Sequence, residues 1–258
     1  MKYRNKGKLR AESLLKEPKQ ALLSENTPFV VVESYKAIRT NIIHMLKGEE
    51  RKWFSVTSPC PGTGKTTVSL NLGITFAALG KKTVVVDADM RKPMGGKLLS
   101  LNKEDGLSEY LSVKTEDVNA CLTKYPNLYA VSSGEIPPNP SELLSSDRFS
   151  TMLYKLSENF DYIIIDTPPV DMVTDAAVIS SYVSGTVLVL KQGYTDKERF
   201  EDTVKTLKKV DANILGYILN AVDEKKYSYK YGHYSSYYGR YYSKYYGTEE
   251  QKKIEKVK

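Results

Sequence analysis

The chain has 258 residues, 41% of them hydrophobic, which is enough for one substantial α/β core. No apolar run approaches the ~20 residues of a membrane-spanning helix, and two cysteines, Cys60 and Cys121, are too few for a disulfide framework. The net charge of +7 admits a nucleic-acid or anionic-lipid partner, but no nucleic-acid recognition motif accompanies it.

Part of the charge comes first. Lys2, Arg4, Lys6, Lys8 and Arg10 crowd the start, and no apolar core follows them. The expectation is a solvated basic arm over 1–27, no signal peptide, and a cytoplasmic protein. A helix is expected over Glu33–Leu46, then a strand Trp53–Thr57 running into Ser58-Pro59-Cys60-Pro61-Gly62-Thr63-Gly64-Lys65-Thr66-Thr67. A phosphate cradle needs backbone N–H groups turned inward, and glycine permits this at the tightest points. Gly62 and Gly64 supply it, Lys65 reaches the β and γ phosphates, and Thr66 ligates Mg²⁺. The helix Thr66–Leu79 opens at this loop, so its dipole also favours an anion. Pro59 departs from the usual pattern, which has glycine there. The strand–loop–helix setting still marks an ATP site over Gly62, Thr63, Gly64, Lys65, Thr66 and Thr67.

Gly80 ends that helix, and Thr83–Asp87 is a strand with valine on both faces. A short turn follows at Gly106–Leu111, then a strand over Asn127–Ser132. A helix over Ser141–Leu156 has a start signal in Asn139, Pro140 and Glu142. Strands Tyr162–Asp166, Thr186–Leu190 and Ile214–Asn220 alternate with helices Asp175–Ser180 and Glu198–Val210. Continuous apolar strands alternating with helices predict an α/β fold, a parallel sheet covered on both faces. Ligands in such folds sit at the carboxyl ends of the strands. Two strands end there on carboxylates: Val86-Asp87-Ala88-Asp89-Met90-Arg91, and Ile165-Asp166-Thr167-Pro168. Three such aspartates beside a phosphate loop predict a Mg²⁺ site, with Thr66 binding directly and Asp89 and Asp166 holding waters. Asp87 is then free to approach an acceptor hydroxyl. Arg91 either holds phosphate or pairs with an aspartate.

After Asp223 the periodicity stops. Residues 227–247 hold ten of the chain's 20 tyrosines: Tyr227, Tyr229, Tyr231, Tyr234, Tyr237, Tyr238, Tyr241, Tyr242, Tyr245 and Tyr246. The composition of 225–258 predicts a disordered tail. A phosphate-handling domain over 28–224 with phenols on its own tail implies a kinase that begins with itself. A phenol arrives protonated, its ordinary pKa being about 10. Phosphoryl transfer depends mainly on positioning and charge neutralisation, so a carboxylate such as Asp87 suffices as late proton acceptor.

The loop 58–67, Asp-x-Asp-x-Arg at 87–91, Asp-x-Pro at 166–168, Pro-Pro-Asn-Pro-Ser-Glu-Leu-Leu at 137–144 and the tyrosine-rich end together resemble the bacterial tyrosine kinases of capsule and exopolysaccharide synthesis. The resemblance covers about residues 28–247. It implies a P-loop NTPase fold of the MinD/ParA-like group, with Lys65, Thr66, Asp87, Asp89 and Asp166 as ATP, Mg²⁺ and catalytic residues. It also implies a membrane-bound chain-length regulator that activates the kinase and recruits it to the membrane, rings of subunits that phosphorylate each other's tails, and Asn220 as a reader of the adenine. The family's ring motif, Glu-x-x-Arg-x-x-Arg, matches Glu33, Lys36 and Arg39 with lysine in the first arginine's place. Ten phosphates would take segment 227–247 from +3 to roughly −12 to −17, so a phosphotyrosine phosphatase is the expected resetting partner. The nearest rival, a MinD- or ParA-like ATPase switch, usually carries a further lysine where this chain has Cys60, and it leaves the tyrosines without a task. Read alone, the tyrosines with Lys230, Arg240 and Lys244 would also suit single-stranded RNA, but the phosphate loop favours phosphate acceptance and no nucleic-acid partner.

Overall fold

The computed structural model describes residues 21–101 and 105–223. The chain divides after Asn220 into two units. Of the second, 221–258, only 221–223 are described, so the tyrosine tail lies outside the described residues, as do residues 1–20 of the basic arm. The arm's end, 21–27, is described, and it is not fully solvated as expected, because Leu22 and Leu23 are buried and Leu23 N donates to Asn71 Oδ1 at 2.9 Å.

The elements of the first unit follow the chain as α1 (Phe29–Met45), β1 (Trp53–Thr57), α2 (Lys65–Ala77), β2 (Thr83–Asp87), α3 (Gly95–Leu99), α4 (Leu107–Leu111), β3 (Cys121–Leu122), β4 (Leu128–Val131), α5 (Pro140–Leu144), α6 (Asp147–Ser157), β5 (Tyr162–Asp166), α7 (Asp175–Ser180), β6 (Gly185–Lys191), α8 (Lys197–Lys208) and β7 (Ile214–Asn220). The strands form one sheet in the order β3-β4-β2-β5-β1-β6-β7. All pairs are parallel, as the alternation of strands and helices predicts, except the short edge strand β3, which runs antiparallel to β4. A two-residue strand leaves too little pattern to be read from sequence.

The central strands β1, β2 and β5 are buried along their whole length. Strand alternation sends Phe54, Val56, Val85 and Ile164 to one face, against Leu70, Leu72 and Phe76 of α2. It sends Trp53, Val84, Val86, Ile163 and Ile165 to the other, against Phe149, Met152 and Leu153 of α6. Each such side chain contributes about 1.5–3 kcal/mol on full burial, which is why these runs read as strands covered on both sides.

Several helix boundaries differ from expectation, most of them by one or two residues, and two departures are larger. Helix α1 begins at Phe29, four residues before Glu33, directly after the cap Pro28. The valine run 30–32 resembles strand, but the helix penalty of a β-branched residue is only a few tenths of a kcal/mol. The expected single helix 141–156 is two. Ser145 donates its hydroxyl to the Ser141 carbonyl at 2.8 Å and Ser146 to the Leu143 carbonyl at 2.6 Å. These bonds compete with the helical ladder, and Ser146 turns extended, with ψ 154°, before α6 restarts. Asn139 makes no side-chain cap. Among the described residues no helix is long and apolar enough to cross a membrane.

Candidate functional site

The loop 58–64 joins β1 to α2. Within it only Gly62 and Gly64 take positive φ, +79° and +91°. Pro59 needs no such freedom, which accounts for its tolerance in place of the usual glycine; its carbonyl accepts from Asp171 N at 3.2 Å. At Gly64 a side chain is also excluded by space, since a Cβ there would stand 2.4 Å from Asn220 Nδ2. Thr63 is buried, and its Oγ1 has no hydrogen-bond partner. Thr67 is half-buried on the first turn of α2.

Register delivers the carboxylates. β2 and β5 pair with Asp87 opposite Asp166, and Val56 of β1 also pairs with Asp166. Both carboxylates therefore stand at the same level beside the phosphate loop, and both are buried. Asp87 accepts from Gly95 N at 2.8 Å and from Asp89 N at 3.3 Å. Burial, then repulsion from Asp166, pushes its pKa up to about 7. Burial also raises Asp166, against the opposing pull of Lys65 and of hydrogen bonds from Thr66 and Ser69. Ser69 Oγ donates to Asp166 Oδ1 at 3.0 Å, while the buried Oδ2 has no hydrogen-bond partner.

Lys65 stands among these groups, its ammonium 2.7 Å from Asp89 Oδ2 and 4.0 Å from Asp166 Oδ2. Burial works against its charge, but Asp166, Asp89 and Asp87 together outweigh it and hold the pKa above the ordinary lysine value. Among the described residues no three His, Cys, Asp or Glu side chains are grouped closely enough to hold a metal. The expected Mg²⁺ site asks for less than such a cluster, since it takes Thr66 directly and Asp89 and Asp166 through waters. The cation among the carboxylates is the ammonium, and Asp89 is its ion-pair partner.

Arg91 and Asn220 both have protein partners. Arg91 is held by Asp175 at the start of α7, with Nε to Oδ2 at 3.0 Å and Nη2 to Oδ1 at 3.2 Å. Ser141 Oγ donates to the same carboxylate at 2.6 Å. Of the two roles left open for Arg91, the aspartate pair is the one formed. Asn220 donates from Nδ2 to the Thr63 carbonyl at 2.8 Å, so it clasps the phosphate loop itself. Of the residues matching the ring motif, Glu33 and Lys36 form an exposed pair at 2.7 Å. Arg39 turns inward, donating from Nη1 to the Thr75 carbonyl of α2 at 2.6 Å. Its guanidinium fastens α1 to α2, which the expectation of an outward contact did not foresee.

A buried glutamate went unread in the sequence. Glu109 of α4 accepts from Gly106 N at 2.8 Å, Ser108 Oγ at 3.0 Å and Glu135 N at 3.0 Å. Gly134, at φ +76°, leaves the carboxylate room where a Cβ would collide. The knot pins the loop after β4, which leads to Ser141. Burial opposes the charge, but these donors prevail and hold the pKa below its ordinary 4.5. A depressed folded-state pKa stabilises above the unfolded value and is lost as pH falls through the folded one. Denaturant midpoints should therefore fall on acidification below about pH 4.5, and Glu109→Gln should flatten that part of the profile. An unchanged acid limb in the variant would remove Glu109 from the account.

A protein-family model described as an AAA domain matches residues 52–217. The tyrosine-protein kinase CpsD of Streptococcus pneumoniae serotype 4 is 42% identical over 194 residues, covering 74% of this chain and 84% of that protein. The kinase domain of the Escherichia coli tyrosine kinase ETK superposes with TM-score 0.72 at 32% identity, over 78% of this chain and 82% of that one. The cell division ATPase MinD of Pyrococcus furiosus shares the fold more distantly, with TM-score 0.55 and 26% identity over 65% of this chain and 71% of that one.

Proposed function

The chain belongs to the bacterial tyrosine-protein kinases, and from that membership we propose that it phosphorylates its own C-terminal tyrosines, between copies, and so controls capsular or exopolysaccharide synthesis and chain length. It is an enzyme that moves phosphate from ATP to protein tyrosine. The observation that carries the finer reading is the register of Asp87 and Asp166 beside the phosphate loop, in a chain that ends with ten tyrosines between 227 and 247.

The residues divide the work. Inward N–H groups around Gly62 and Gly64 and the α2 dipole hold the phosphates. Lys65 leaves Asp89 to balance the charge of the γ-phosphoryl group. Asp87 lies beside the path of the incoming phenol and takes its proton as the new oxygen–phosphorus bond forms and the bond to ADP breaks. The buried Oδ2 of Asp166, which accepts no hydrogen bond, the Thr66 hydroxyl and Asp89 suit a magnesium ion that keeps several waters. Bound there, it would offset phosphate charge.

Activation by the cytoplasmic segment of a membrane-bound chain-length regulator completes the proposal, as does recruitment to the membrane through that partner. Ring assembly, if it uses α1, draws on Glu33 and Lys36 rather than Arg39. Multiple phosphorylation then reverses the tail's charge and loosens the assembly until a phosphatase resets it.

Phosphosite mapping after incubation with Mg·ATP and an activator peptide tests the reading. Phosphate should concentrate on 227–247, and a variant with all ten tyrosines changed to phenylalanine should bind ATP yet lose self-phosphorylation. Release of free phosphate without phosphotyrosine would instead make this a MinD-like switch.

A further inference from the structure

β6 outlasts its neighbour β1. Thr57, the last residue of β1, pairs with Leu188, and β6 continues three residues further to Lys191. At about 3.3 Å per residue that carries it roughly 10 Å past the end of β1, alongside the phosphate loop. Lys191 Nζ donates to the Gly62 carbonyl at 3.3 Å. The next residues fold back on Lys191: Tyr194 N and Thr195 N donate to its carbonyl at 3.1 and 3.0 Å, and its own N–H donates to Thr195 Oγ1 at 3.0 Å. This turn sets the Tyr194 ring over the ammonium, 5.3 Å from Nζ to centroid, and its hydroxyl 3.7 Å from where a Cβ on Gly62 would stand. In register with Lys191 on β7 is Asn220, bonded to the next carbonyl of the loop, Thr63.

The sheet order gives this arrangement a direction. β5 and β2, with the carboxylates, lie on one side of β1, and β6 and β7 lie on the other. The reacting end of ATP must face Asp87 and Lys65. The nucleoside end is then directed toward β6 and β7, where Lys191 and Tyr194 stand.

We propose that Lys191 is a positioning residue for the kinase reaction: its ammonium fixes the Gly62 peptide, so that the loop's N–H groups stay turned toward the phosphates, and its stem and Tyr194 wall the nucleoside end of the ATP site. The proposal rests on ATP occupying this loop. An exposed hydrogen bond of this kind contributes little to fold stability, so its value lies in the loop's conformation. Lys191 is a poor candidate for chemistry, being held to the far side of the loop from the carboxylates.

The test uses the full chain with Mg·ATP as the probe, reading the ATP dissociation constant by calorimetric titration and the melting temperature with and without ATP. Lys191→Met keeps the stem and loses the charge, and should weaken ATP binding about tenfold, as expected for one charge-assisted hydrogen bond. Its ligand-free melting temperature should match the parent, while the ATP-induced rise shrinks. Lys191→Arg should restore binding, Tyr194→Phe should retain it, and Tyr194→Ala should weaken it several-fold. An unchanged ATP constant in Lys191→Met overturns the proposal alone, leaving the kinase reading intact. A ligand-free melting temperature that falls in step with ATP affinity makes the residue structural and overturns it too. Failure of the parent chain to bind ATP brings down both readings.

Discussion

Replacing Lys65 with methionine should abolish phosphotyrosine formation and destabilise the ligand-free protein as well. Among the described residues the ammonium is the cation that stands between the carboxylates of Asp87, Asp89 and Asp166, at 2.7 Å from Asp89 and 4.0 Å from Asp166. In catalysis its removal takes a preorganised charge from the transferring phosphoryl group, a loss of about 10²–10³-fold by analogy with single transition-state donors, before any effect on ATP binding. In the fold, removal leaves buried carboxylates without their counter-charge, and breaking a buried pair costs about 3–5 kcal/mol. Because Lys65 is nearly buried, little of that is lost to solvent screening. The measurements are phosphotyrosine by mass spectrometry, on protein freed of other kinases, and the urea midpoint of the same sample. Wild-type phosphotyrosine from a folded Lys65→Met chain would defeat the catalytic assignment. A parental midpoint would show that the carboxylates do not depend on the ammonium for their burial.

Arg91→Ala should cost stability and spare ATP. Asp175 is fully buried and receives two guanidinium bonds and one hydroxyl bond, while Arg91 itself is 39% exposed. Losing the partner of a buried carboxylate costs several kcal/mol, discounted here for the exposed side of the arginine to about 2–3 kcal/mol. Three segments separate together, because Arg91 follows β2, Ser141 opens α5 and Asp175 opens α7. Lysine in place of Arg91 should recover only part of the loss, since it cannot bond the carboxylate with two parallel N–H groups. Titration with ATP should give a constant within about twofold of the parent. The opposite pattern, normal stability with weakened ATP binding, would return Arg91 to the phosphate site.

The phosphate loop and the two aspartate-terminated strands were legible in the sequence because their signals are local. An apolar run of five residues that ends in aspartate can bury the run only if the carboxylate emerges at the strand's end, and Thr83–Asp87 and Tyr162–Asp166 occupy those bounds in the structure. Gly62 and Gly64 announced the cradle for the same reason, since positive φ is costly for other residues. The Ser145–Ser146 break was missed because side-chain bonds to carbonyls three and four residues back leave the helical pattern of apolar residues intact.

What the sequence determined by itself was therefore the set of elements and the chemical inventory at their ends: an ATP loop, three aspartates, and a tail of phenols. Tertiary structure alone decided which groups meet. Asp87 faces Asp166 through strand register, over 78 intervening positions of chain. Arg91 finds Asp175, and Arg39 turns to the Thr75 carbonyl. Lys191 and Asn220 reach the loop because β6 and β7 run past the end of β1. For Arg39, Lys191 and Asn220 the physical reason is the same. A periodic pattern constrains the face a residue occupies within its own element, whereas a hydrogen bond to a backbone carbonyl places no demand on the identity of the accepting residue. Such partners leave no trace in sequence until the sheet order brings them to the same edge.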